Sequence, residues 1–197
     1  MNNRVGFFVA LEGIDNAGKT SLLDFIRAEF SPQLPVVTTQ ELDTPVGAVI
    51  RRQLTDSGLS SIEKILLFAA DRQARLCAGF AAALGAKSLC VADRWTFSAA
   101  AYRLAEDPNL LDYVLRVNAV FPSPDLTILI DLPAEVSILR GEPLNKNNYE
   151  LEYLSRVRDQ YLSLAAQFGF LVVDGTQGFT SMAAEISLSI RDRLGAR

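Results

Sequence analysis

Histidine is absent from this chain of 197 residues, which removes every His-based relay, triad and zinc site from consideration. Cysteine is scarce. The two residues, Cys77 and Cys90, lie inside apolar runs and read as buried thiols of a reducing compartment rather than a disulfide or metal pair. Excess positive charge is also lacking: the formal net charge is -4, which argues against a general nucleic-acid surface, although a local basic cluster can still hold a small anion. No apolar run is long. "LCAGFAAALGA" falls well short of the roughly 20 residues that a membrane span needs. "VGFFVAL" is ended by Glu12 with no small-residue cleavage site after it, so it reads as a strand and not a secretory leader. A cytoplasmic protein without membrane or nucleic-acid partners is expected. Hydrophobic residues at 49% and charged ones at 21% suit one soluble domain with a well-buried core.

The hydrophobic pattern alternates strands with helices. "RVGFFVAL", "PVVTTQ", "KSLCVADR", "LTILIDL" and "FLVVDG" read as strands, and the continuous hydrophobicity of the fourth is that of a central parallel strand. Helical spacing covers "KTSLLDFIRAEF" and "PVGAVIRRQL". A long helix from Ser60 to Gly85 follows, apolar nearly all round its middle and therefore expected to be buried. Further helices are expected over "TFSAAAYRL", from Asp107-Pro108 to about Val120, after Pro133, and from about Ser181 to Leu194. "RGEPLNKNNYE" reads as a polar loop. The expected architecture is α/β: a three-layer open sheet of about five parallel strands with helices on both faces, in one domain.

Between the first strand and the first helix the chain reads "ALEGIDNAGKTSLLDFI". Gly13-x-x-x-x-Gly18-Lys19-Thr20 is the P-loop pattern in its proper strand–loop–helix context. Glycines let successive N–H groups turn toward phosphates, and the helix N-terminus adds partial positive charge. Lys19 is expected on an exposed loop, reaching the β- and γ-phosphates, while Thr20 offers a hydroxyl to Mg²⁺. Nucleoside triphosphate binding follows. The P-loop by itself says nothing of what receives the phosphoryl group.

Other residues bear on that question. Asp15 cannot favour a phosphate beside it, so it reads as an acceptor for a hydroxyl or as a solvated loop carboxylate. Asp93 ends a strand, where it could hold Mg²⁺ through water; Asp131 is the competing metal candidate, with helix capping as its alternative. Phe68 and Arg72 share a helix face and could stack a base and bond its carbonyl edge, although Phe68 taken alone reads as core. Arg94, Ser98 and Tyr102 form another face. Arginines near a P-loop need an anionic partner, which a monophosphate would supply.

Taken together, "FVALEGIDNAGKTSL", "TPVGAVIRRQL", "ILLFAADRQARL", "VADRWTFSAAAY", "PDLTILIDLPAEVSILR" and "RVRDQYLSLA" resemble the thymidylate kinase family, in the family's order and over nearly the whole chain. The resemblance implies a P-loop NTPase fold, one nucleotide-kinase domain over 1–197 with a lid at about 140–150, and transfer of phosphate from ATP to dTMP with Mg²⁺. It implies ATP contacts from Gly13, Asn16, Ala17, Gly18, Lys19, Thr20 and Ser21, and Mg²⁺ contacts from Thr20 and Asp93. Asp15 would bind the deoxyribose 3′-hydroxyl, Phe68 would stack on thymine and Arg72 would bond its O4. Arg94 would hold the dTMP phosphate, Tyr102 would close the sugar side and disfavour a ribose 2′-hydroxyl, and Ser98 would be a further substrate-binding residue. A homodimer is implied too, and "LCAGFAAALGA" could serve in it or equally in the core.

The chain departs from the family pattern at several points. Gln40 and Leu42 stand where "REP" is common, Trp95 follows the "DR", and Arg103 replaces a glutamine. Asn16 and "GEPLNKNNYE" leave both the P-loop and the lid without the usual catalytic arginine, so Lys146 is the remaining candidate beside Lys19 and Arg94. These changes keep two other readings open: a kinase for another deoxynucleotide or deoxynucleoside, and a nucleotide-binding homologue that catalyses weakly.

Overall fold

The computed structural model describes residues 5–55, 58–141 and 148–196. Strands β1 (Phe7–Glu12), β2 (Val36–Gln40), β3 (Leu89–Asp93), β4 (Leu126–Asp131) and β5 (Leu171–Asp174) form one sheet in the order β2-β3-β1-β4-β5. Every pairing is parallel, as the sequence led one to expect. The helices are α1 (Lys19–Phe30), α2 (Pro45–Thr55), α3 (Ser61–Arg75), α4 (Ala81–Leu84) and α5 (Thr96–Leu104). They continue with α6 (Leu111–Asn118), α7 (Ala134–Arg140), α8 (Asn148–Phe168) and α9 (Phe179–Gly195). Parallel strands demand such crossovers, and helices on both faces explain why the strands are apolar throughout. Among the described residues no helix is long and apolar enough to cross a membrane.

The pleat divides β1 between two cores. Phe7, Val9 and Leu11 join Leu22, Leu23 and Ile26 of α1 and Ile186 and Ile190 of α9. Phe8 and Ala10 instead pack with Phe80, Leu84, Trp95 and Phe121. Glu12 continues this second series by the period of two and is fully buried. Register pairs Leu11 with Asp93 and Asp93 with Gln40, which brings the carboxyl ends of three strands to one rim. Loops leaving that rim form the crevice in which open α/β sheets bind ligands.

The long third helix differs from expectation. A Ser60–Glu63 capping box starts α3, but the regular helix stops at Arg75. A π-helical turn over Leu76–Phe80 follows, in which Gly79 takes φ 115°, before the short α4. Nor is the helix buried all round. Ile62 and Leu66 are about half exposed, at 46% and 49%, whereas Asp71, Arg72 and Arg75 face inward and are buried. Polar tertiary partners outweigh the apolar pattern here. Asp71 accepts the Leu42 N–H at 2.9 Å and the Thr44 hydroxyl at 2.6 Å, holding the loop after β2 against α3. Cys90 is buried as expected, but Cys77 is exposed, because it lies on the outer side of the π-helical turn. Helix α8 begins at Asn148, inside the segment read as a loop to Glu150.

Candidate functional site

The P-loop has the backbone that its glycines imply. Gly13 adopts φ 143°, and a Cβ there would lie 2.7 Å from the Ile130 carbonyl, so only glycine fits. Gly18 takes φ 94° at the start of α1, and Asn16 takes φ 57°, a left-handed value that asparagine tolerates. Helix α7 braces the loop from outside: the Asn16 amide donates to the Ser137 carbonyl at 3.2 Å, and the Ser137 hydroxyl donates to the Asp15 carbonyl at 2.8 Å. No acidic side chain occupies the first turn of α1, which leaves its dipole free to act on an anion.

Lys19 is not on an exposed loop. It is the first residue of α1, only 6% exposed, and its Nζ donates to the carbonyls of Ile14 at 2.7 Å and Gly13 at 3.1 Å. Folding inward satisfies the ammonium with loop carbonyls. Burial, with the Arg94 charge nearby, pulls its pKa down to about 8.

The structure places Thr20 beside Asp93. The Thr20 hydroxyl donates to Asp93 Oδ2 at 2.9 Å, joining the first turn of α1 to the end of β3. A hydroxyl and a carboxylate side by side are hard oxygen donors of the kind Mg²⁺ takes. Among the described residues no group of three or more acidic or thiol side chains could hold a metal alone. Mg²⁺ commonly uses one or two carboxylates and completes its shell with phosphates and water. Asp131, the competing metal candidate, does not cap α7, which has no side-chain cap bond; Arg158 of α8 holds it through two bonds, at 2.6 and 2.8 Å.

Beside the P-loop opens a cavity of about 720 Å³, large enough for a nucleotide. Asp15, Phe68, Arg94, Ser98 and Tyr102 all line it, so five sequence candidates from three separate segments converge there. Arg94 sits at their centre. Its Nη2 donates to Asp15 Oδ1 at 2.6 Å and to the Tyr102 hydroxyl at 3.1 Å; its Nη1 reaches Tyr161 at 3.2 Å and Ser98 at 3.4 Å. Burial opposes the guanidinium charge, but the surrounding phenols and carboxylates more than offset it and hold its pKa above the ordinary value. Asp15 is more than half exposed, and although partial enclosure works the other way, Arg94 and Lys19 hold its carboxyl below the usual range. The Arg94 backbone is left-handed at φ 61°, which costs a residue with a Cβ about 1–2 kcal/mol.

Arg72 does not line the cavity. It is 1% exposed, its Nη1 donates to Asn118, and its Nη2 donates to the Trp95 carbonyl at 2.8 Å. Its guanidinium lies over the Trp95 and Phe121 rings, 5.4 and 5.3 Å from their centroids. Only Nε is left without a partner among the described residues. Phe68 and Arg72 therefore share a helix face but not the cavity wall. Lys146 lies outside the described residues.

Several contributors escaped sequence reasoning. Glu12 accepts the Trp95 N–H at 3.0 Å and the hydroxyls of Ser98 and Tyr161, and burial pushes its carboxyl pKa up. Its signal was a lone carboxylate closing an otherwise apolar strand. Glu41 lies 3.8 Å from Arg94 Nε, and burial raises its carboxyl pKa as well. At the far end of the cavity, Glu106 pairs with Lys64 at 3.1 Å and Arg103 at 3.0 Å, and Arg156 completes that wall. Arg156 and Tyr161 lie in the stretch "RVRDQYLSLA", but the local sequence assigns neither a role, because both reach the site from α8, far along the chain.

Comparison with known proteins gives a family. The model described as Thymidylate kinase matches residues 11–186. "Probable thymidylate kinase 1" of Saccharolobus solfataricus is 36% identical, over 86% of this chain and 88% of that protein. "Thymidylate kinase" of Desulforapulum autotrophicum is also 36% identical, over 95% of this chain and 92% of its own length. "Probable thymidylate kinase" of Pyrococcus horikoshii is 35% identical, with 83% and 84% covered.

Proposed function

The chain belongs to the thymidylate kinase family, and from that premise we propose that it transfers the γ-phosphoryl group of ATP to the 5′-phosphate of dTMP, giving ADP and dTDP. One observation carries the reading: a P-loop adjoins a cavity of about 720 Å³, and Arg94 with Asp15 stands where the two meet. The donor phosphates would lie along the loop against its N–H groups and Lys19, whose ammonium would exchange the Gly13 and Ile14 carbonyls for phosphate oxygens. Arg94 would grip the acceptor phosphate. Asp15 would take a bond from the deoxyribose hydroxyl, Phe68 would stack on thymine, and Ser98 and Tyr102 would line the sugar side.

An acceptor phosphate oxygen then attacks the γ-phosphorus as the bond to the β-phosphate oxygen breaks. Protein groups need only align the two and meet the negative charge. Thr20 and Asp93 would hold Mg²⁺, which when bound neutralises charge on the phosphate oxygens. The buried Glu12, Ser98 and Tyr161 keep Arg94 aimed, and the lid at about 140–150 would carry Lys146 to the phosphates. We further expect a homodimer in the cytoplasm; α2 and α3 expose Val49, Ile62 and Leu66, an apolar surface that a second copy could cover.

The relatives named above support neither another acceptor nor weak catalysis. A coupled assay with ATP and a panel of nucleotides and nucleosides tests the reading. Fastest turnover is expected with dTMP. Preference for another acceptor, or binding without turnover, would refute it.

A further inference from the structure

Arg94 can serve as an anchor only while its left-handed backbone is held, and five bonds in and around the turn do so. Its own N–H donates to the Leu11 carbonyl at 2.9 Å, and the next N–H donates to Glu12 at 3.0 Å. On the carbonyl side, Arg75 Nη2 lies 2.9 Å from the Arg94 oxygen and 3.2 Å from that of Asp93. Arg72 takes the following carbonyl, Trp95, at 2.8 Å. Two guanidiniums from one helix thus grip three successive carbonyls.

Arg75 is the unexpected member. It is 2% exposed, yet among the described residues it has no carboxylate within ion-pair distance. Its other bonds run from Nε to the Thr39 hydroxyl at 3.0 Å and from Nη2 to the Thr39 carbonyl at 3.4 Å, and its guanidinium carbon lies 5.0 Å from the Trp95 ring centroid. Burying a guanidinium is costly, and a merely packed side chain here would favour an apolar residue. Glu41, Asp71 and Asp93 attract the charge from beyond ion-pair distance, but what its donors bond is the Thr39 hydroxyl and a set of backbone oxygens, all at the ends of β2 and β3 or in the turn that follows. A guanidinium can reach several of them at once because its donors form a rigid fork.

We propose that Arg75 is a positioning residue for the acceptor-phosphate site: it locks the turn Asp93–Arg94–Trp95 in the conformation that aims Arg94 into the cavity, and ties that turn to the helix bearing Phe68. The inference deepens the acceptor reading above and rests on it. Arg75 touches no substrate and acts through Arg94.

Binding of dTMP, thymidine and ATP to the parent, Arg75→Met, Arg94→Ala and the double variant tests this. Small misplacement of a positioned group has effects of up to about 100-fold, and Arg75→Met should raise the dTMP Kd about tenfold. Thymidine and ATP should change less than twofold, because neither needs the acceptor-phosphate anchor. In the Arg94→Ala background the same substitution should change the dTMP Kd less than twofold, since the group it acts through is gone. Arg75→Lys, keeping a cation but not the fork, should recover part of the loss. Should Arg75→Met fail to fold, Arg75→Lys carries the same cycle. Equal losses for dTMP and thymidine, or an undiminished loss without Arg94, would make Arg75 structural only. A crystal structure of the variant with Arg94 still left-handed and unmoved would overturn the proposal whatever the acceptor. A parent chain that does not bind dTMP would instead sink the acceptor reading.

Discussion

Raising the pH from 7 to 9 should weaken ATP binding about tenfold, through Lys19 alone. In the free protein burial and the neighbouring Arg94 pull the Lys19 pKa down to about 8. Phosphates against Nζ would favour the charged form and return it toward its ordinary 10.5. Below pH 8 both free and bound forms carry the proton, and affinity does not change. Above pH 8 the free form loses it while the bound form keeps it, so binding must take up a proton and weakens as pH rises. At pH 9 about nine-tenths of the free lysine is neutral, which gives the tenfold change and an uptake of about 0.9 proton per ATP. Phosphate groups titrate near pH 6, and the Tyr102 and Tyr153 phenols are held above their usual range, so neither crosses the window. Calorimetry in two buffers of different ionisation enthalpy reads both quantities. Lys19→Arg should bind more weakly but lose the slope, because a guanidinium does not titrate there. A flat Kd from pH 7 to 9.5 without proton uptake would refute the reasoning.

Three other variants probe the acceptor side and the lid. Phe68→Ala should weaken dTMP binding by about 1–3 kcal/mol, the worth of one aromatic–base stack, with ATP affinity nearly unchanged; lost stability at constant dTMP affinity would return Phe68 to the core. Arg94→Ala should cost dTMP at least about 1.5–3 kcal/mol and thymidine far less, as expected for hydrogen bonds to a charged group, and equal losses would show that Arg94 does not touch the phosphate. Lys146→Ala should lower kcat at least about 30-fold, below the range of an arginine finger, because a lysine lacks the planar fork. Substrate dissociation constants should barely move, and an unchanged kcat would remove Lys146 from the mechanism.

The P-loop was legible because its demands are local: positive φ at Gly13 and Gly18, a strand before and a helix after, all within 14 residues from Phe7 to Thr20. Arg94, Ser98 and Tyr102 were legible together for the same reason, since one short helix and the turn before it bring them to one side. The five parallel strands followed from their continuous hydrophobicity. Their order did not, because a strand buried on both faces looks the same beside any neighbour. Periodicity also misjudged α3, whose apolar middle reads as buried: Ile62 and Leu66 are about half exposed, while Asp71, Arg72 and Arg75 turn inward. Those three face inward because the ends of β2 and β3 present unpaired backbone and hydroxyl groups there, a need created only when the strands assemble. Glu41 and Tyr161 reach Arg94 from loops and helices distant in sequence, with Tyr161 67 residues away. The sequence by itself determined which chemistry the chain could attempt, through a loop whose turn its own glycines set. Tertiary structure decided which charges stand free to meet a ligand and which are consumed in holding others in place, because in a buried site every donor must find an acceptor.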